Sequence, residues 1–418
     1  MTPIERNKIL LSAYACEPDK GSEPEVGWQW AFHLANHCEV TVLTRANNKE
    51  SIEAKLKADP KSHLKFVYID LSTTALKWKK WIRPQFLAVS WYYSQWQKKA
   101  FLKIKELEKT NDYDVIHHLT FASFRLPFAA TGHRALSIIG PVGGCEEFPE
   151  ELLPVRKWRV QTKEIFRNLM TRFSTGLGYG MSKYRSANQV IASTGEMKKV
   201  FADHGIKSLV MPQIGITRDL QAVRSHQEVK DGEVSLLFVG GILCWKGLDL
   251  AVQALALLPQ GVSLTIIGEG PDEHLLRKEI KRLNLTNRVH FLGRLPHAEV
   301  LTHYRRYDLF MYPSLHDSGA FTVLEAMASG LPIICLDRGG PALSVNNTCG
   351  RIVRSGSRIE TIDSLHSAVS YYLENPERIS AHGENAKQRI IEVYDWRKKS
   401  KIMAEIYDAT INKCKQTY

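Results

Sequence analysis

The chain has 418 residues, of which 44% are hydrophobic, so it is too long for one ordinary core and should form two domains of about 200 residues each. Its seven cysteines are scattered without any C-x-x-C spacing, which argues against a disulfide framework or a zinc site and favours a reducing compartment. The formal net charge is +12, no apolar run reaches the length of a membrane span, and the N-terminus predicts a strand rather than a signal peptide, so we expect a cytoplasmic protein with a basic surface.

Apolar strands alternate with helical patterns along the chain, which is the signature of parallel sheets with right-handed crossovers. The first half predicts strands at Lys8–Ala13, Val40–Thr44, Lys65–Ile69, Val115–His117, Ala135–Ile139, Gln189–Ala192 and Leu209–Pro212. The second half predicts strands at Val234–Val239, Ser263–Ile267, Val289–Leu292, Leu309–Tyr312 and Pro332–Leu336. The polar stretch Asp219–Glu233 is predicted to link the two series. The predicted fold is α/β, with two doubly wound sheets that face each other across a cleft and bind ligands outside the carboxyl ends of their strands.

Three candidate residues follow strands of the first half. Gly21 lies in a polar loop before a helix, where a simple turn is the alternative interpretation. His117 and His118 end the strand that Asp114 opens. Adjacent strand residues face opposite ways, so only one imidazole can reach a ligand, and we prefer His118 because it lies closer to the loop. The alternative is a pair of satisfied core or surface histidines.

The stretch Lys77–Lys105 contains no acid and interleaves basic residues with aromatic ones, namely Trp78, Trp81, Trp91, Tyr92, Tyr93 and Trp96. A second basic stretch, Arg156–Arg185, repeats this bias more weakly. Such a composition suits the headgroups of an anionic membrane, where each cation contributes about 1 kcal/mol. We therefore hypothesise that the first domain docks on the inner face of the cell membrane. The alternative is ordinary helices with aromatic core faces. A nucleic-acid partner is not expected, because no RNA- or DNA-binding motif is present.

Two cationic side chains follow strands of the second half. Lys246, in GGILCWKG, precedes a predicted helix and could pair with a diphosphate as a point charge, although an exposed lysine at a helix start is the alternative. Arg294 lies in LGRLP after a later strand, where an exposed surface role is as plausible as a ligand contact.

The most informative stretch is YPSLHDSGAFTVLEAMASGLPIICLDRGGP, from Tyr312 to Pro341. It predicts a strand, a small-residue turn, a helix over Thr322–Ser329 with Gly330 as its C-terminal cap, and another strand. Ser318, Gly319 and Ala320 then lie at the helix N-terminus, whose free N–H groups suit a phosphate. Glu325, one turn into the helix, suits the two hydroxyls of a ribose. The alternative is a structural strand–turn–helix unit with a solvated glutamate.

This stretch resembles the signature of retaining family 4 glycosyltransferases, the group 1 type with the GT-B fold. That pattern is a proline-serine strand end, an acid, seven residues and a glutamate in LEAMAxGxPV, and this chain has Asp317 and LEAMASGLPI. Three departures stand out. The first acid is usually glutamate, so the shorter Asp317 could reset the sugar preference. An arginine is common where this chain has Gly241, for which Arg294 is a candidate substitute. The commoner spacing from Asp114 would place the family histidine at Leu119.

The resemblance implies an acceptor-side Rossmann-like domain over residues 1–213, completed by a crossover helix at 397–418, and a donor-binding domain over residues 214–396. It implies transfer of a sugar, by a hexosyltransferase, from a nucleotide-diphosphate donor to a glycan or lipid-linked acceptor in cell-surface polysaccharide or lipopolysaccharide biosynthesis. Retention would follow from front-face attack assisted by the leaving phosphate, without cofactor or metal. Another GT-B enzyme, an epimerase or a phosphorylase, is the alternative.

The residues that the resemblance assigns fall into two sets. The catalytic set, which contacts the sugar or stabilises the leaving group, is His118, His117, Asp317 and Lys246. The donor-binding set is Glu325, Ser318, Gly319, Ala320, Phe321, Gly21, Arg294 and Gly241.

Overall fold

The computed structural model describes residues 6–82, 85–152, 158–176, 178, 180–217 and 232–416. Its contacts divide the chain into two compact units. The first comprises Met1–Cys145, Phe173–Gln213 and Trp396–Tyr418, and the second comprises Glu146–Arg172 and Ile214–Asp395. The segment Glu146–Arg172 thus groups with the second unit, whereas the sequence analysis assigned it to the first domain. The predicted linker Asp219–Glu233 lies, up to residue 231, outside the described residues.

The strands form two sheets in which all paired strands are parallel. The first sheet has seven strands in the order β3-β2-β1-β4-β5-β6-β7 and the second has six in the order β10-β9-β8-β11-β12-β13. Their bounds are β1 Lys8–Ser12, β2 Glu39–Arg45, β3 Leu64–Ile69, β4 Val115–His118, β5 Leu136–Val142, β6 Gln189–Ala192, β7 Ser208–Val210, β8 Val234–Val239, β9 Val262–Ile267, β10 Val289–Gly293, β11 Leu309–Tyr312, β12 Ile333–Leu336 and β13 Gly350–Val353.

Helices connect the parallel strands, as crossovers require. Their bounds are α1 Ser22–Leu34, α2 Lys49–Ala58, α3 Thr73–Trp81, α4 Gln85–Leu107, α5 Trp158–Gly176, α6 Ser182–Arg185, α7 Gly195–Asp203, α8 Leu248–Leu257, α9 Glu273–Arg282, α10 His297–His303, α11 Phe321–Ala328, α12 Gly339–Ser344, α13 Arg358–Glu374, α14 Glu377–Arg389 and α15 Trp396–Lys415. Shorter 3₁₀ turns occupy Ala46–Asn48, Glu150–Leu152, Cys244–Lys246 and Tyr304–Arg306, and a π-helical turn occupies Ile390–Tyr394.

The predicted α/β fold with two doubly wound parallel sheets is confirmed. Every predicted strand is present, with ends that shift by up to three residues, as at β5, where the strand runs on to Val142. The sequence patterns did not predict β13. Its four residues include the charged Arg351, and it lies at the edge of the second sheet. Short edge strands bury little apolar surface, so they carry a weak hydrophobic pattern.

The last helix, α15, belongs to the first unit. Trp396 packs edge to face on Trp30 of α1, with ring centroids 5.3 Å apart. The buried ammonium of Lys399 donates a hydrogen bond to the carbonyl of Pro212 at 2.6 Å, and the indole N–H of Trp30 donates to the carbonyl of Gln213 at 3.2 Å. Burial lowers the pKa of Lys399 to about 7. Helix α15 therefore anchors Pro212, which lies where the chain passes from the first unit to the second.

Five of the six aromatic side chains named for Lys77–Lys105 divide into two groups, and the sixth, Trp91, is partly buried against the core of the first unit. Tyr92, Tyr93 and Trp96 of α4 are fully buried in the core of the first unit, so for these the alternative interpretation is correct and the membrane interpretation is wrong. Trp78 and Trp81 of α3 are 61% and 85% exposed. No helix in the described part of the chain is long and apolar enough to cross a membrane.

Candidate functional site

The strand order of the second sheet reverses at its centre, between β8 and β11, which pair in parallel. The connections from these two strands run to opposite sides, so the loops after Val239 and Tyr312 open a crevice at their carboxyl ends. Such a switch point is where open α/β sheets bind ligands. The loop after β8 carries Lys246, and the loop after β11 carries Asp317.

Lys246 and Asp317 contact each other at this crevice, with Nζ 2.6 Å from Oδ2. The same carboxylate oxygen accepts hydrogen bonds from the hydroxyls of Tyr312 and Ser314, both at 2.8 Å. Because the Tyr312 hydroxyl donates to Asp317, its lone pair accepts from the Lys246 ammonium at 2.6 Å. Burial, followed by the Asp317 charge, raises the pKa of Tyr312 well above its usual value, so this proton stays in place. The network holds the ammonium in one position.

An ammonium group has three N–H donors, and the network uses two of them. Within the described residues the third N–H of Lys246 has no protein acceptor. Asp317 offsets part of the cost of holding this cation away from water, since the two charges form an ion pair at hydrogen-bonding distance. The pair can therefore present one cationic donor to an anionic ligand. The sequence indicated both residues but not their contact. It did not indicate Tyr312 and Ser314 as partners either, because these residues stand at the predicted end of a strand.

Helix α11 begins immediately after this network, as predicted. Ala320 is its N-terminal cap residue and Phe321 its first residue, so Ser318, Gly319 and Ala320 lie at the positive end of the helix. The backbone N–H of Gly340 donates to the Asp317 carbonyl at 2.8 Å and fixes the loop from the side of α12. At the other end, Gly330 has a φ of 80° and ends the helix as predicted.

Glu325 is buried, and both of its carboxylate oxygens have protein partners. One accepts from the hydroxyl of Tyr304 at 2.9 Å, and the other lies 2.8 Å from Nε2 of His297, the first residue of α10. Each oxygen retains a further lone pair. Glu325 therefore ties α11 to the start of α10. Tyr304 and His297 lie 21 and 28 residues away in the sequence, and no local pattern indicated them.

A cavity of about 550 Å³ lies at the carboxyl ends of β8, β9 and β10. Gly241, Glu269 and Arg294 contribute to its lining. Strand β9 separates β8 from β10, and neighbouring strands lie about 4.8 Å apart, so an arginine after β10 can reach across to the loop after β8. The structure thus brings Gly241 and Arg294 to one cavity of a size typical for small-molecule ligands.

Two glycines let these loops approach each other. A Cβ on Gly247 would lie 2.1 Å from the Pro313 carbonyl oxygen, and one on Gly268 would lie 2.0 Å from that of Gly240. Both have positive φ, at 67° and 136°. Side chains at these positions would push apart the loops after β8, β9 and β11, so glycine is required for the crevice to form.

The first sheet has its own switch point between β1 and β4, and His117 and His118 end β4 there. His117 Nε2 lies 2.7 Å from the Gly140 carbonyl and must donate to it, so Nδ1 accepts from the Tyr407 hydroxyl, also at 2.7 Å. Both nitrogens are thus used by the fold. His118 Nε2 lies 3.3 Å from the Tyr93 hydroxyl, and its Nδ1 has no partner among the described residues. Of the two histidines, only His118 keeps a ring nitrogen without a partner among the described residues, and that nitrogen is buried.

Both imidazoles are neutral at physiological pH. Burial lowers the pKa of His117 to about 4, and burial together with the neighbouring His117 and Lys183 lowers that of His118 to about 3. A neutral imidazole donates or accepts a hydrogen bond but carries no positive charge. His118 is therefore suited to orient a hydroxyl rather than to stabilise an anion.

We expect acid to destabilise the protein through these histidines. In the unfolded chain each binds a proton below about pH 6.5, whereas folded His117 does so only near pH 4, so stability falls as the pH drops through this interval. The loss is about 2 kcal/mol per imidazole between about pH 7 and about pH 5. His117→Gln should make this decrease smaller by that amount, as measured by urea unfolding at the two pH values. The exposed His274→Gln is the control, and an unchanged decrease in His117→Gln would contradict the assignment.

Gly21 lies in the loop after β1 and precedes α1, with a φ of 70° and nothing within 4 Å of where a Cβ would stand. The following α1 contributes Glu23, whose carboxylate accepts the backbone N–H of Phe121 at 2.5 Å. Phe121, in the loop after β4, also has a positive φ of 56°. Sequence reasoning missed Glu23, which joins the loops on either side of this switch point. Burial raises its pKa.

The part of the chain that contains the second sheet matches a known protein family. Residues 221–389 match the family of glycosyl transferases group 1. We refer to this part of the chain as the group 1 domain. Lys246, Asp317, Glu325 and the cavity beside Arg294 all lie within the group 1 domain, whereas Gly21, His117 and His118 lie outside it.

Curated relatives match part of this chain. Glycogen synthase of Mycobacterium tuberculosis is 29% identical over 181 residues, which are 43% of each chain. The lipopolysaccharide core biosynthesis mannosyltransferase LpcC of Rhizobium leguminosarum is 30% identical over 175 residues, 40% of this chain and 48% of LpcC. The match thus spans less than half the length of these relatives.

A solved structure covers both sheets. HepE of Anabaena, in complex with UDP, aligns with 96% of this chain and 100% of its own, with a TM-score of 0.58 and 16% identity. At this identity the likeness establishes the fold alone. Together with the group 1 domain, it shows that this chain has the GT-B fold of two Rossmann-like domains.

Proposed function

We propose that this protein is a retaining glycosyltransferase that moves a sugar from a nucleotide-diphosphate donor to a glycan or lipid-linked acceptor. The observation that carries this proposal is the Lys246–Asp317 network at the switch point of the group 1 domain. It holds a cation with one uncommitted N–H donor beside the N-terminus of α11. HepE was solved with UDP, and a diphosphate is the kind of ligand that such a position would bind.

In the proposed reaction the acceptor hydroxyl attacks the anomeric carbon on the face from which the nucleoside diphosphate departs. The new C–O bond forms as the bond to the phosphate oxygen breaks, and that oxygen takes the hydroxyl proton. Negative charge grows on the leaving diphosphate. Lys246 and the N–H groups at Ser318, Gly319 and Ala320 would stabilise it by preorganised electrostatics. No enzymic nucleophile, cofactor or metal is part of this proposal.

The remaining residues would bind and orient the donor. Glu325 would accept the ribose hydroxyls with the lone pairs that Tyr304 and His297 leave. Arg294, beside Gly241 in the cavity, would supply the second cation of the diphosphate clamp. His118 would orient a sugar or acceptor hydroxyl through its unpartnered nitrogen. Phe321 and Gly21 would complete the walls on the two sides.

We place the reaction in cell-surface polysaccharide or lipopolysaccharide biosynthesis in the cytoplasm, on the inner face of the membrane. One relative of this chain is named as an enzyme of lipopolysaccharide core biosynthesis. In the first unit, the exposed Trp78 and Trp81 of α3 stand among three lysines and support membrane docking of this helix.

The test is a thermal-shift screen of the purified protein against UDP, GDP, ADP, dTDP and their sugar conjugates. A ligand that binds only the folded state raises the melting temperature, so we expect one nucleotide family to do so selectively. With that donor, nucleotide release should require an acceptor, and NMR of the product should show the anomeric configuration of the donor. Release without an acceptor would indicate an epimerase or a hydrolase. No shift with any nucleotide would contradict the proposal.

A further inference from the structure

Most of the strained backbone in the described part of the chain follows β1 and β4. Four residues other than glycine have a positive φ there, namely Asp19, Ser22, Phe121 and Asn284, all at 54–58°. The first two follow β1, and Phe121 follows β4. Aspartate and asparagine adopt this conformation readily, whereas it is an outlier for a bulky residue such as phenylalanine. Phe121 is therefore held by its surroundings, and backbone held in this way is concentrated at functional sites.

Three contacts hold the loop after β4 against the chain that follows β1. The backbone N–H of Phe121 donates to Oε1 of Glu23, in the first turn of α1, at 2.5 Å. The buried hydroxyl of Thr120 accepts the N–H of Ala15 at 3.0 Å. The ring of Phe121 packs edge to face on that of Tyr14, with centroids 4.8 Å apart. Glu23 thus stands where the two loops meet, at the switch point of the first sheet.

The fold uses only one oxygen of the Glu23 carboxylate. Oε1 accepts from Phe121 and, at 3.5 Å, from the side-chain amide of Gln213. Oε2 has no partner among the described residues, and unlike Oε2 of Glu25 it is not fully buried. Two residues earlier, nothing stands within 4 Å of where a Cβ of Gly21 would lie. The carboxylate is therefore fixed through one oxygen, while the other is open to a ligand.

No cationic side chain neutralises Glu23 in the described part of the chain. The other two acids that precede it after β1 do have such partners. Glu17 pairs with Lys20 at 3.6 Å, and Asp19 pairs with Lys55 at 2.8 Å. A phosphate that approached Glu23 would meet an uncompensated negative charge, which disfavours it. A hydroxyl group is a neutral donor and forms a charge-assisted hydrogen bond with a carboxylate.

We propose that Glu23 binds a hydroxyl group of the acceptor, and that the part of the acceptor held by the first unit is an uncharged sugar. This inference rests on the proposed function, which requires an acceptor hydroxyl. It adds the chemical class of the acceptor and a residue that recognises it. All the contacts that carry it lie within the first unit.

Two substitutions separate recognition of the acceptor from the contact between the loops. In Glu23→Gln the amide oxygen still accepts the N–H of Phe121, but the group at the position of Oε2 becomes an uncharged donor. In Glu23→Ala both are lost. We therefore expect Glu23→Gln to keep the melting temperature of the unchanged protein and Glu23→Ala to lower it. Asp19→Asn is the matched control, because it removes a charge from the same loop and asparagine tolerates the positive φ equally well.

The experiment is an NMR titration of the full chain with the methyl α-glycosides of glucose, galactose and mannose. Glucose 6-phosphate and glucosamine are the charged comparisons. At least one methyl glycoside should bind, and Glu23→Gln should weaken its binding about tenfold, because a charge-assisted hydrogen bond is replaced by a neutral one. Asp19→Asn should bind it like the unchanged protein. The nucleotide-induced thermal shift should be the same in the unchanged protein, Glu23→Gln and Asp19→Asn.

Four results would overturn this inference. The methyl glycosides could all fail to bind, or binding could be confined to the charged sugars. Glu23→Gln could bind as tightly as the unchanged protein, in which case Glu23 only joins the loops. A melting temperature of Glu23→Gln as low as that of Glu23→Ala would assign any loss of binding to the loop contact. Nucleotide binding is measured separately, so a thermal shift without glycoside binding would contradict this inference alone, whereas no shift with any nucleotide would contradict the proposed transferase.

Discussion

Replacing Lys246 by alanine should lower the turnover number by about 10²- to 10³-fold, the usual effect of removing one preorganised donor to a developing charge. The side chain contacts Asp317 and Tyr312 but keeps one N–H donor for a ligand. The negative charge on the diphosphate grows as this group departs, so we expect the turnover number to fall more than the affinity for the donor. The measurement is steady-state kinetics with the donor that the thermal-shift screen identifies. A turnover number within a factor of about two of the unchanged protein would contradict the assignment.

A double-mutant cycle separates the two roles of this pair. If Asp317 acts by holding Lys246, Asp317→Asn should slow transfer, and the combined variant should be little worse than Lys246→Ala alone. Additive losses would instead mean that Asp317 contacts the sugar independently, as the resemblance suggested. Lys281→Ala, which removes an exposed lysine from the last turn of α9, is the matched control for net charge.

Glu325→Ala should weaken donor binding by about 10²-fold, because hydrogen bonds to a charged group contribute about 1.5–3 kcal/mol. It should also lower the free energy of unfolding by about 1–3 kcal/mol, since the fully buried Tyr304 hydroxyl loses its acceptor. Isothermal titration with the nucleotide and urea unfolding measure the two effects.

Tyr304 provides the control for this second prediction. Tyr304→Phe should leave donor affinity nearly unchanged, and adding it to Glu325→Ala should restore part of the lost stability, because no buried hydroxyl then lacks a partner. Donor affinity should stay low in the double variant. If affinity and stability recovered together, Glu325 would act on the donor only through the packing of α11 on α10.

The fold, and the residues proposed for the second-domain site, could be predicted from the sequence because both depend on local patterns. The apolar runs that end at Val239 and Tyr312 predicted β8 and β11, and small residues after Asp317 predicted the start of α11. Ligands bind at the carboxyl ends of such strands, so the position of Lys246 made it a candidate, and the family resemblance added the role of Asp317. Their contact did not follow, because it joins residues that are 71 positions apart in the sequence.

The sequence failed where burial decides the role of a residue. Trp78 and Trp96 look alike in a basic and aromatic stretch, yet the first is exposed on α3 and the second is fully buried on α4. His117 and His118 are both buried and differ instead in their partners. Gly140 of β5 and Tyr407 of α15 occupy both nitrogens of His117, whereas His118 has only the hydroxyl of Tyr93 on α4 as a hydrogen-bonding partner among the described residues. Composition cannot tell which side of a helix meets the core when both sides carry apolar residues.

The path of the chain between its two sheets has a practical consequence. The second unit is entered at Ile214 and left at Asp395, and these ends lie side by side, since the N–H of Ile216 bonds to the carbonyl of Tyr394 at 2.8 Å. Within the first unit, Lys399 binds the carbonyl of Pro212. The main part of the second unit is thus an insertion with adjacent ends, of the kind that can be exchanged as a cassette. A graft of residues 214–395 from a relative should exchange the proposed donor site while α15 and its anchor stay in place.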